Sequence, residues 1–90
     1  MPMTRSKPQV EVKEEVEFTP YDSEITANRV RKMADKAEVK HKDLASWMGI
    51  SAVTMSQRLT NKKYFTVSEI YWLADSFGVS ADWLLGREDA

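Results

Sequence analysis

From Asp22 onward, apolar positions recur along the chain with the period of a helix. Ile25, Val30, Met33, Ala34 and Ala37 fall on one face at three- and four-residue spacing, with Arg29, Arg31, Lys32 and Lys36 on the others. Asp22 or Ser23 can cap this first helix, because a short side-chain oxygen accepts from an unpaired first-turn amide. The spacing predicts a helix over about 23–38. A second, over 41–48, turns Leu44, Ala45 and Met48 inward and stops at Gly49, where glycine takes the left-handed conformation at no cost. Ser51 caps a third, from 52 to about 60, with Met55 and Leu59 inward. Thr66-Val67-Ser68-Glu69 has the spacing of a capping box and opens a fourth helix ending at Gly78, with Val67, Ile70, Leu73, Ala74 and Phe77 inward. Ser80 caps a last short helix, 81–85, ended by Gly86. Five helices with short joints and no strand pattern predict an all-α bundle over residues 23–90.

Residues 1–22 read differently. They hold all three prolines and a run of glutamates. Val10 and Val12, then Val16 and Phe18, show a brief period-two alternation that Glu14-Glu15 interrupts. We expect a flexible acidic tail, largely disordered or extended.

Charge sharpens the picture. The chain of 90 residues carries a net charge of −1, which by itself argues against nucleic acid. Its distribution does not. Residues 25–63 hold nine Lys or Arg against three Asp or Glu, a net of +6, and both flanking segments are acidic. A phosphate backbone senses a basic face, not the sum over the chain. The absence of cysteine excludes a disulfide framework and thiolate metal sites. The single histidine, His41, cannot make half of a two-histidine metal site, and no apolar run approaches the ~18 residues of a membrane span. The first residues have no apolar stretch behind their basic ones, so a secretory signal is not expected and a cytoplasmic location is. No phosphate loop, paired-carboxylate site or nucleophile elbow is present, and Asp43 lies only two residues from His41, where helical side chains do not face each other. We expect no enzyme, no cofactor and no metal.

The most informative spacing is Leu44-Ala45, then Met48-Gly49-Ile50-Ser51, then Met55 and Leu59. Two helices crossing steeply over a short turn need a small residue at the crossing (Ala45), a turn glycine (Gly49) and an apolar plug (Ile50). Together with Leu73-Ala74-Asp75 and Phe77-Gly78-Val79-Ser80-Ala81-Asp82-Trp83-Leu84-Leu85-Gly86, this resembles the Cro/lambda-repressor-like, or xenobiotic-response-element, helix–turn–helix family over residues 25–86. Met55-Ser56-Gln57-Arg58-Leu59 with Phe65-Thr66 is most similar to short actinobacteriophage immunity repressors.

The resemblance implies a five-helix lambda-repressor-like DNA-binding bundle whose third helix lies in the major groove. It assigns base reading to Ala52, Val53, Ser56, Gln57 and Arg58, and backbone contacts to His41, Lys42, Ser51, Thr54, Lys62 and Lys63. Gln57 can bond adenine N6 and N7 together, and Ala52 and Val53 can touch thymine methyls. The family often has an apolar residue where Arg58 stands and a glutamate where Leu59 stands, which predicts a slightly rotated helix. Its frequent turn glycine is here Asn61, which tolerates the left-handed conformation. The implied function is sequence-specific binding of double-stranded operator DNA by a transcription repressor of the phage-immunity type. A homodimer is expected, through Trp72, Trp83, Leu84 and Leu85 or through the Val10–Phe18 segment. The alternative is an antitoxin or other protein-binding module on the same fold.

Overall fold

The computed structural model describes residues 20–89. The order is α1 (Ser23–Lys36), α2 (His41–Met48), α3 (Ala52–Leu59), α4 (Val67–Phe77) and α5 (Ala81–Leu84). The described residues contain no strand. The fold is the expected all-α bundle, and the 1–22 tail lies mostly outside the described residues.

Each helix start is held by the chemistry that the sequence offers. Asp22 Oδ1 accepts from the Glu24 amide at 3.1 Å, Ser51 Oγ from the Thr54 amide at 3.0 Å, and Ser80 Oγ from the Trp83 amide at 2.9 Å. Thr66 and Glu69 complete the capping box of α4 in both directions. α2 is the exception, since Lys40 at its N-cap makes no side-chain cap. α1 stops two residues earlier than its periodicity predicts. Glu38 there is left-handed, at φ 60°, and the Val39 amide turns back to the Ala34 carbonyl at 2.8 Å.

The core joins Val30, Met33 and Ala34 of α1 to Leu44, Ala45, Met55, Leu59, Phe65, Ile70, Leu73 and Leu84. α3 packs on α2 and α1, and α5 packs on α1 and α4. Ala45 is buried at the α2–α3 crossing, where a larger side chain would push the two helices apart. Thr26 is a buried polar residue that the apolar pattern missed. Its hydroxyl donates to the Leu84 carbonyl at 2.7 Å and accepts from the Tyr21 hydroxyl, so α1 and α5 are tied by a satisfied hydrogen bond.

Three expectations about burial need correction. Val67 does not face inward: it is the first residue of α4, where no neighbouring helix covers it, and it is 87% exposed. Ala37 is exposed because α1 has already ended. Leu84 is 0% exposed, so it is a core residue and cannot offer a dimer surface. Its neighbours Trp72, Trp83 and Leu85 are partly buried against the same core. The Arg29 guanidinium sits 4.9 Å from the centre of the Trp83 ring, and Arg29 also donates to the carbonyls of Trp83 and Glu88. This cation–π contact, with its two hydrogen bonds, fastens the C-terminal turn to α1.

Two glycines distinguish strain from space. Gly49 has φ 74° and a Cβ there would meet nothing within 4 Å, so Gly49→Ala carries only the left-handed penalty, about 1–2 kcal/mol. Gly86 has φ 84°, and a Cβ would lie 3.1 Å from Ile25 Cγ2 and 3.2 Å from Ile25 Cδ1. Gly86→Ala should therefore destabilise more than Gly49→Ala. Urea midpoints of the two variants check this, and equal midpoints contradict it.

Candidate nucleic-acid interface

α3 is amphipathic in a way that leaves one side unused by the fold. Met55 and Leu59 anchor it to the core, one turn apart. Around the rest of its circumference Val53 is 67% exposed and Gln57 half-buried, while Ala52 and Ser56 are exposed beside the buried anchors. A helix this short buries an apolar stripe for stability and has no packing reason to expose valine. The four neutral candidates for base reading thus share one outward surface.

Arg58 is placed elsewhere. Its Nε donates to Glu69 Oε1 at 2.8 Å and its terminal nitrogen to Oε2 at 3.1 Å. The two side chains are 14% and 12% exposed, so this bidentate pair is largely shielded from solvent. Leu59 lies in the core, as its four-residue spacing from Met55 predicts. The guanidinium, however, lies against α4 and not on the outward surface.

The ion pair also governs two ionisations. Burial pushes the Glu69 carboxyl up, but hydrogen bonds from Arg58 and the Thr66 amide, with the Arg58 charge, outweigh it and hold the group below the ordinary 4.5. The hydrogen bond to Glu69 likewise raises Arg58 despite burial. A depressed carboxyl pKa contributes stability that is fully present above the unfolded value and is lost as pH falls through the folded one. The domain should therefore lose stability on acidification below about pH 4.5. That part of the loss should vanish in Glu69→Gln; equal acid sensitivity of the two proteins contradicts the pairing.

The candidate backbone contacts flank α3. His41 and Lys42 are exposed in the first turn of α2, where free amides and the helix dipole favour an anion. His41 Nε2 is 4.0 Å from Asp35 Oδ1, and both are exposed. Ser51 Oγ donates to Thr54 Oγ1 at 3.0 Å, which commits the Ser51 proton but leaves the Thr54 hydroxyl able to donate to a phosphate. Lys62 and Lys63 are exposed just beyond α3, and their amides donate to the Gln57 carbonyl at 2.8 and 3.2 Å. Asn61 makes the turn at φ 65°.

A groove of about 390 Å³ runs between α1, the start of α2 and α3, with Arg31, His41 and Lys42 around an apolar floor that includes Ala52 and Met55. Arg31 escaped the sequence reading. It donates to the Leu59 carbonyl and to Asn28, which sets a cation at the C-terminal dipole of α3. Its signal in the sequence, one basic residue among several on the polar side of α1, does not distinguish it.

An exposed, neutral helix face bounded by lysines on a helix–turn–helix suits duplex DNA, and the family comparison agrees. The profile of the BetR domain matches residues 21–90. The chain belongs to the BetR domain family. It is a helix–turn–helix type of DNA-binding domain, which makes DNA its class of partner and gene regulation its general role. No curated protein and no solved structure gives a match. The BetR domain match takes in all five helices and begins at Tyr21, just before the cap of α1. Among the described residues no helix is long and apolar enough to cross a membrane.

Proposed function

We propose that this BetR domain protein is a sequence-specific repressor of transcription, of the phage-immunity kind, that acts in the cytoplasm by occluding a promoter and has no catalytic role. The observation that supports the reading is the face of α3 left uncovered by the fold, where Ala52, Val53 and Ser56 are exposed and Gln57 half-exposed while Met55 and Leu59 anchor the helix. Gln57 bonds an adenine edge, and Ala52 and Val53 meet thymine methyls. Ser56 is short enough to bond an adjacent base. His41 and Lys42 at one end, and Lys62 and Lys63 at the other, hold the phosphates that fix the helix in its groove.

A single module of this size covers about 600–1,000 Å² of DNA, which is small for tight selection, so two copies on a two-fold symmetric site complete the reading. With Leu84 buried, the exposed apolar pair one turn apart on α4, Val67 and Tyr71, is the better surface for that pairing. In vitro selection from random duplexes tests binding and symmetry together. The expected product is an inverted repeat with half-site centres roughly one helical turn apart. A lone half-site contradicts the pairing, and no enrichment contradicts the DNA reading. The protein-binding alternative draws on Trp47, which is 60% exposed on α2; it predicts no salt-dependent affinity for duplex DNA.

A further inference from the structure

Arg58 is the one charged residue in α3, and the structure commits it to a neighbour. We infer that Glu69 is a specificity-determining residue, because it holds Arg58 off the DNA so that α3 reads bases through neutral side chains alone. The inference rests on the DNA-binding reading above and goes further by saying what the recognition helix is prevented from reading.

Three observations carry it. First, the Glu69 carboxylate has a hold of its own besides Arg58. Its Oε1 accepts from the Thr66 amide at 2.9 Å while Thr66 Oγ1 accepts from the Glu69 amide at 3.1 Å, so the capping box of α4 sets the acceptor in place. Second, the pair is bidentate and shielded. If the guanidinium swung out to a phosphate, it would exchange one anion for another and leave a largely shielded carboxylate without its cation, so the exchange gains little. Third, Arg58 lies on the flank of α3 between outward Gln57 and buried Leu59, so release from Glu69 would free a long side chain at the edge of the reading surface. Arginine bonding guanine O6 and N7 together is the commonest specific base contact. Withholding it leaves a helix suited to adenine and thymine, and it withholds a phosphate contact as well.

The test compares the full chain with Glu69→Gln, Arg58→Met and the double variant. The readout is the slope of log affinity against log salt, on the duplex selected by the wild-type protein and on an unrelated duplex. Glutamine also serves in a capping box, so Glu69→Gln keeps the start of α4 while loosening its hold on Arg58. The expected slope is the same for the wild type, Arg58→Met and the double variant. For Glu69→Gln it is steeper by about 0.9, an extra loss of about 3.5-fold between 50 and 200 mM salt. Selection with Glu69→Gln should also bring guanine into a position where the wild-type protein has none. Structural damage would weaken binding without steepening its salt dependence.

A shallower slope for Arg58→Met, or an unchanged slope for Glu69→Gln, overturns the inference while the DNA reading stands. Should Arg58→Met fail to fold, Glu69→Gln decides the matter by itself. Salt-independent binding by the wild-type chain overturns the DNA reading and this inference with it.

Discussion

Leu84→Ala is expected to remove about 2–5 kcal/mol of unfolding free energy. Leu84 is fully buried although it sits near the end of the chain, and its carbonyl accepts the hydrogen bond from buried Thr26. Truncation leaves a cavity among α1, α4 and α5, and α5 is too short, at 4 residues, to shift and close it without breaking its cap at Ser80. A domain of this size has about 0.05–0.15 kcal/mol of stability per residue, so the loss takes a large share of the total. Urea unfolding of the variant measures it directly. Were Leu84 a surface residue of a dimer, the midpoint at low protein concentration would not move and only its concentration dependence would change. That result contradicts the packing described here.

Gln57→Ala and Lys62→Ala are expected to damage binding in different ways. Loss of the Gln57 amide removes a bidentate contact to one base, so discrimination at one position of the site should fall by about 1–3 kcal/mol while other positions keep theirs. Lys62 is exposed beyond the end of α3. Its replacement should weaken selected and unrelated duplexes alike and reduce the salt slope by about 1. Affinities for a panel of single-base variants, each at several salt concentrations, separate the two. If Lys62→Ala changes base preference and Gln57→Ala changes only the salt slope, the roles given to α3 and its flank are reversed.

Much of the fold is legible in the sequence because its boundaries are written in local chemistry. Ser51, Thr66 and Ser80 each cap the helix expected of them, and Gly49 and Gly78 end theirs in the left-handed conformation. These are short-range effects, decided within one turn. What the periodicity does not carry is long-range. Thr26 reads as polar, yet it is buried because a carbonyl of α5, far along the chain, meets its hydroxyl. Val67 continues an apolar stripe, yet helix ends outrun the neighbours that would cover them. Leu84 and Trp83 look alike as apolar residues of the last turn; only packing shows that one is core while the other lies half-covered beneath Arg29.

The candidate site divides along the same line. The outward positions of α3 follow from the inward spacing of Met55 and Leu59, which any reader of the sequence can count. The fate of Arg58 does not, because its partner is 11 residues away on another helix. Glu69 reads fully as a capping residue from sequence alone, and nothing in that reading announces a second duty. Arg31 poses the same problem, since its use at the end of α3 depends on how α1 and α3 cross.

Amide and side-chain NMR shifts, mapped as the selected duplex is added to the labelled protein, show whether the free face of α3 meets the edges of the bases. The largest changes are expected at Val53, Ser56 and the Gln57 side-chain amide, with lesser ones at His41, Lys42 and Lys62. Changes confined to Trp47, Val67 and Tyr71, with α3 silent, would contradict it.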